Sequence, residues 1–184
     1  RMTGSTLRTS GHLNALTAGA MLDSAVLVGV AGDYATDADA DGVIDLPRGT
    51  DAFAGAVGGV VPTLNALSIR GGRGIGGELF EDSTVAAGRL GRAVLASAAT
   101  ENEDPFGIAV GDSLGSLILR DGRRAYRWGT PSWPADTGDF AVVVPGYNNA
   151  PRAVGEAVAA DEDAAVTTGN VLANDFDLNN DPLT

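Results

Sequence analysis

The 184-residue sequence has no cysteine, no lysine and one histidine, His12. Without cysteine, disulfides and thiolate metal sites are excluded. Without lysine there is no Schiff base and no P-loop lysine, and any catalytic triad would have to use His12. Aromatic residues are only 5% of the chain. No apolar run reaches the roughly 18 residues of a membrane span, and the start lacks the basic-then-apolar form of a signal peptide. The chain opens on Arg1 and Met2 and stops at Thr184 in mid-pattern, which reads as a segment of a longer protein. What is abundant is small: 26 glycines and many alanines within a 44% hydrophobic composition predict a thin core of small side chains.

All 12 basic residues are arginine, against 24 acids, for a net charge of −12. That balance disfavours nucleic acid as a partner, because the chain repels a phosphate backbone at long range. The charge is local. Residues 33–51 hold six Asp and one Arg, and residues 148–184 hold five Asp, two Glu and one Arg. The remaining body carries ten Arg against eleven acids, net −1. Tight Asp clusters repel themselves unless a cation or a water shell compensates them.

The body repeats. Leu13-Asn14-Ala15-Leu16-Thr17 recurs as Leu64-Asn65-Ala66-Leu67-Ser68, and a looser Leu-Gly-x-x-x-Leu starts at Leu90 and Leu114. The starts are separated by 51, 26 and 24 residues. Since 51 is about twice 25, one rung is expected to be missing near residue 39, with the first Asp cluster extruded as a loop in its place. Asp23–Gly29 likewise matches Asp82–Gly88 in length and pattern. Short Gly-bounded apolar runs at this spacing predict strands of about three to five residues in the stacked coils of a parallel β-helix. Leu64–Arg70, Leu90–Ser97, Leu114–Arg120 and Asp139–Val144 are the expected strands. The alternative is an ordinary antiparallel β-sandwich.

Two strings imitate active sites. Gly111-Asp112-Ser113-Leu114-Gly115 matches the G-x-S-x-G elbow and superficially resembles a GDSL esterase motif. Those enzymes need a histidine after the serine, and no histidine follows His12. The repeat instead aligns Ser113 with Arg89. Gly72-Arg73-Gly74-Ile75-Gly76-Gly77 contains G-x-G-x-x-G, but no long helix is expected behind it, so it reads as a turn. No catalytic residue is therefore assigned, and the chain is read as a non-enzyme. A sugar-binding or polysaccharide-degrading β-helix is the competing reading. It rests on Arg120-Asp121-Gly122-Arg123-Arg124 followed by Tyr126, Trp128 and Trp133, for which the favoured reading is a cap over residues 120–138.

Asp37-Ala38-Asp39-Ala40-Asp41-Gly42-Val43-Ile44-Asp45 carries the D-x-D-x-D-G-x-x-D spacing of a calcium loop. Carboxylates at Asp37, Asp39 and Asp41, the Val43 carbonyl and Asp45 form the candidate ligand set, and Gly42 allows the sharp turn. The string resembles the loops of EF-hands, dockerins and thrombospondin type 3 repeats. Arg48 stands where their bidentate acid would be, with Asp51 three residues further on as a substitute.

From Asn148-Asn149-Ala150-Pro151 the sequence runs through Asp161-Glu162-Asp163 and Gly169-Asn170-Val171-Leu172-Ala173-Asn174-Asp175 to Asp177, Asn179, Asp181 and Leu183-Thr184. This resembles the opening of the cadherin-like, Ig-like (VCBS-type) tandem repeats of large bacterial surface proteins and adhesins. Asn179 stands where that family commonly has Asp. The resemblance implies calcium near Asp175, Asp177, Asn179 and Asp181. It also implies neighbouring repeats of the same chain as partners, a surface glycan or other cell-surface target, and an extracellular or bacterial cell-surface location. Residues 64–144 more vaguely resemble the β-helical stretches that precede such repeats.

The expectation is thus an all-β chain: a parallel β-helix over residues 1–146 with an Asp-rich loop at 33–51, then a linker and the truncated start of a cadherin-like sandwich over 147–184. Calcium is the expected cofactor, and neither nucleic acid nor membrane insertion is expected. A scaffold without any ligand is the third possibility.

Overall fold

A computed structural model of the protein describes residues 1–34, 37, 44–53, 59–99, 105–134 and 137–147. The chain divides into two compact units, Arg1–Pro145 and Gly146–Thr184. The second lies outside the described residues beyond Tyr147, and with it the expected start of a cadherin-like repeat.

The first unit is all-β. Its strands are β1 (Met2–Thr3), β2 (Thr6–Thr9), β3 (Leu13–Ala18), β4 (Met21–Leu22), β5 (Ala25–Val28), β6 (Thr63–Ile69), β7 (Phe80–Glu81), β8 (Thr84–Leu95), β9 (Phe106–Asp121), β10 (Arg124–Arg127) and β11 (Phe140–Val143). Among the described residues they form three ladders. In the first, Met2 pairs with Met21 and Met21 with Phe80. In the second, Thr6, Ala25, Thr84 and Gly107 follow one another, and β11 adds to β9 through Phe140 and Phe106. In the third, Leu13, Leu64, Leu90 and Leu114 are successive neighbours. All of these pairings are parallel; β10 alone returns antiparallel along β9.

The internal repeats are therefore neighbours in register. The four Leu starts lie side by side, and Ala25–Val28 pairs with Thr84–Ala87 as the alignment of Asp23–Gly29 with Asp82–Gly88 requires. β6, β8 and β9, three of the expected strands, are parallel neighbours, which an antiparallel sandwich would not supply.

Two expectations need correction. No rung is missing between Leu13 and Leu64, because β3 pairs directly with β6. The 51-residue gap is one step enlarged by an excursion that leaves after β5 and returns at β6. Its neck is closed by the Val30–Phe53 bridge and by the Ala31 amide donating to the Ala52 carbonyl at 2.9 Å. A long insertion closed at its neck costs little more than a short one, since loop entropy grows only logarithmically with length. Secondly, β8 and β9 run 12 and 16 residues, not three to five. Each passes from the second ladder into the third through a register shift between Ala87 and Arg89, so the corner bends the strand without ending its pairing.

The interior is filled by inward-facing Leu, Val, Ile and Ala, with Leu64, Ile69, Val85, Leu95 and Ile108 fully buried. Phe80, Phe106 and Phe140 meet as three rings whose centroids are 5.9 Å apart pairwise. Between the first and second ladders the chain turns three times in the same way. Gly4, Asp23 and Asp82 take left-handed φ values of 54°, 48° and 40°, and a serine follows each. Ser24 and Ser83 donate to the carbonyls of Leu22 and Glu81 at 2.7 Å, and each accepts the amide of the preceding serine. This hydroxyl ladder satisfies backbone groups that the corner would otherwise bury unpaired.

Close stacking explains the Leu-Gly motif. A Cβ on Gly91 would lie 2.6 Å from the Asn65 carbonyl oxygen, and one on Gly115 would lie 2.3 Å from that of Gly91. On β8 and β9 a side chain cannot occupy that row, whereas on β3 and β6 it is filled by Asn14 and Asn65, the Asn65 amide donating to Asn14 Oδ1 at 3.1 Å.

Replacing buried Leu90 by alanine is expected to lower the unfolding free energy by about 2–5 kcal/mol in urea titration. Gly115→Val should cost at least about 1–3 kcal/mol by overpacking, whereas Gly122→Ala meets no neighbouring atom and costs only the strain of a left-handed φ of 55°. An undisturbed Gly115→Val would show that the strands are not stacked at this distance.

Candidate functional site

Of the first candidate calcium loop, Asp37 and Asp45 are described; Asp39, Asp41 and Val43 lie outside the described residues. Asp37 is exposed and Asp45 half-buried, both on the excursion. Asp51, the proposed substitute acid, instead accepts the Tyr34 hydroxyl at 2.7 Å and sits on the 3₁₀ turn Thr50–Ala52. That bond, with the Asp51 charge, raises the Tyr34 pKa. Asp175, Asp177, Asn179 and Asp181 are outside the described residues. Among the described residues no three His, Asp or Glu side chains gather around one point.

The G-D-S-L-G string is a structural junction on β9. A Cβ on Gly111 would lie 2.5 Å from the Phe53 ring at the neck of the excursion, and Gly115 meets Gly91 as described. Asp112 lies at the corner, between the paired residues Val110 and Ser113. Ser113 is in register with Arg89, as the repeat alignment requires. His12 lies beside Thr63, whose amide donates to its Nδ1 at 3.2 Å, and Thr63 pairs with Arg89. Three interstrand steps therefore separate His12 from Ser113, about 14 Å, too far for proton transfer. Ser113 Oγ donates to Asp112 Oδ2 at 3.0 Å, and Asp112 also pairs with the Arg89 guanidinium. The Arg89 hydrogen bond, then that of Ser113, holds the Asp112 carboxyl below the ordinary aspartate range.

Gly72–Gly77 forms a turn closed by the Gly72–Ile75 bridge, and it leads to β7, not to a helix. No phosphate cradle of the dinucleotide type follows.

Among the described residues one cavity lies on the outer face of the third ladder and another at the ends of its strands. The first, about 360 Å³, is bounded by Arg70, Arg92, Arg120, Val94 and Ala96. Ile69, Leu95 and Leu119 are in register and point inward, so the next residues, Arg70, Ala96 and Arg120, form an outward row on three adjacent strands. Arg92 is outward on the central strand, and Val94, 5% exposed, forms the floor between. β10 extends the face, because Arg127 pairs with the outward Ile118. The second cavity, about 300 Å³, shares Arg120 and adds Glu78, Asp121, Tyr126 and Pro134.

The sequence points to Arg120 and the aromatic segment; Arg70 and Arg92 join Arg120 in the fold. The repeat alignment held the missing signal, since extending it places positions 70, 96 and 120 in one row. Trp128 and Trp133 are half-buried against the core, and Trp133 lies 6.4 Å from the Phe140 ring. They do not form an exposed stacking platform.

No protein-family model, curated protein or solved structure matches the chain.

In an NMR pH titration, Asp112 should titrate below an ordinary aspartate, and Arg89→Ala should return it upward. Because its folded pKa is depressed, its small contribution to stability is present above the ordinary value and fades as pH falls through the folded one. An unchanged midpoint in Arg89→Ala would exclude the pair.

Proposed function

We propose that the chain is a parallel β-helix segment with a structural and adhesive role in a large secreted or surface-anchored bacterial protein, leading into a cadherin-like repeat. The observation that carries this reading is the parallel register of Leu13, Leu64, Leu90 and Leu114 together with that of Ala25 and Thr84. The same few residues recur at the same place in successive strands, so the unit can be extended by repetition. Short repeated elements with no cysteine suit a rigid spacer that gains stiffness from stacking and ions. β10 and β11 cover the free edge of β9, and the Trp133–Phe140 contact supports a cap at that end.

Calcium is the ion this reading assigns to the two Asp-rich strings. Asp37, Asp39, Asp41, Asp45 and the Val43 carbonyl offer hard oxygen ligands of the type calcium prefers. At the second string the ligands would be Asp175, Asp177, Asn179 and Asp181. Asp51, with one carboxylate oxygen engaged by Tyr34, is a poorer substitute for the bidentate acid, which favours weak binding. Calcium there would neutralise self-repulsion and tie down the excursion.

A second reading, sugar recognition, is supported by the cavity where Tyr126 and Arg120 lie beside Glu78 and Asp121. These groups offer an aromatic side chain and paired donors and acceptors. A polysaccharide-degrading activity would need one of the acids as its proton donor.

At calcium one hundredfold above its dissociation constant, the native fold should gain about 2.7 kcal/mol, seen as a rise in melting temperature that a chelator reverses. Asp39→Ala combined with Asp41→Ala should abolish the part of the shift due to the first string. No shift at millimolar calcium would remove the ion from this reading.

A further inference from the structure

We propose that the outer face of β6, β8, β9 and β10 binds an anionic polysaccharide, a chain bearing uronate or sulfate groups that lies across the strands. The proposal rests on the adhesive reading and supplies its target class.

The face has three properties that together select this ligand. Its outward charges are of one sign: Arg70, just past the end of β6, and Arg92, Arg120 and Arg127 come from four consecutive strands, while Glu78 and Asp121 approach Arg120 only at the strand ends. The outward positions around them are Ala66, Ser68, Val94, Ala96, Ser116, Ile118 and Ala125, with no acid among them. All four arginines are exposed, and among the described residues none of their side chains is paired with a carboxylate. In a chain of net −12, four unpaired cations on one sheet face are a local reversal of sign.

The spacing is that of a repeating ligand. Adjacent strands are about 4.8 Å apart, close to the length of one pyranose unit in an extended chain, so Arg70 and Arg120 lie about 10 Å apart across Ala96. Charged groups on alternate sugars would meet them in turn, each guanidinium offering a forked pair of donors to a carboxylate or sulfate. Arg92, four residues back along β8, stands about 13 Å from that row and meets the chain from its other side.

The floor fits a sugar better than a nucleotide. Val94 and Ala96 present a low apolar surface between the arginines, suited to the C–H face of a pyranose. No aromatic side chain lines this cavity, so bases would find nothing to stack on.

The test is calorimetric titration of the whole 184-residue chain with oligogalacturonate, with the neutral oligosaccharide of the same linkage, and with oligothymidylate. Oligogalacturonate is expected to bind with affinity that falls as salt rises, and the other two to bind at least about tenfold more weakly. Arg92→Ser combined with Arg120→Ser should lower oligogalacturonate affinity by about tenfold or more while the melting temperature stays unchanged. Arg73→Ser, on the loop before β7, should leave binding intact. Equal binding by the double variant overturns this face but leaves an adhesive surface elsewhere. Oligothymidylate bound as tightly as oligogalacturonate overturns the sugar assignment. If no glycan binds, the face fails as a glycan site, and the adhesive reading then stands or falls separately on the calcium shift of the melting temperature.

Discussion

On β8 and β9 of the third ladder the backbone lies so close to the preceding strand that there are positions where no side chain fits. Gly91 sits against the Asn65 carbonyl and Gly115 against that of Gly91, at distances a Cβ would violate. The rest of the unit depends on this contact. It holds the four Leu starts in register, which lets one inward stripe of Leu, Ile and Ala close the core on itself. Small residues elsewhere follow from the same constraint, because a narrow interior accepts few large side chains. The exception is the cluster of Phe80, Phe106 and Phe140, where three strands contribute one ring each.

Polar groups are handled by repetition as well. At the corner after the first ladder, Asp23 and Asp82 adopt the conformation that Gly4 takes without strain, and each serine that follows binds the backbone of its own turn and of its neighbour. Asp tolerates a left-handed conformation better than most residues. The cost of that conformation is offset by hydrogen bonds that leave the corner's amides paired. Acidity gathers there in turn: burial, then the charges of Asp82, Asp23 and Glu78, pushes the Glu81 pKa up. The cationic face on the third ladder and this acidic corner occur in one nearly neutral body, so the net charge describes neither.

The excursion between β5 and β6 is the point at which repetition is suspended. It enters and leaves through the Val30–Phe53 bridge, and Phe53 packs where Gly111 leaves room. The glycine that begins an apparent catalytic string is thus the seat for the neck of a loop. Its serine faces no histidine, because the only histidine is held three strands away by Thr63. A motif read without its place in the ladder suggests a nucleophile; in place, it is a corner.

The sequence by itself determined the all-β class, the identity of the repeating elements and their pairing partners, since identical inward positions must recur wherever like strands stack. It also located the two acidic strings, excluded thiol and lysine chemistry by composition, and left His12 as the one histidine a triad could use. It could not determine how many strands separate two repeats, because a loop closed at its neck leaves no periodic trace, and Leu13 and Leu64 therefore read as two steps apart. Nor could it show that corners at Gly88 and Gly111 bend the strands without ending them, since a bulge and a turn use the same residues. The repeat alignment placed positions 70, 96 and 120 in one row, but that Arg92 and Arg127 join them on one face was decided by the tertiary structure. Arg70, Arg92, Arg120 and Arg127 are scattered over 58 positions, and only parallel register, which converts distance along the chain into a single interstrand step, brings them to one surface.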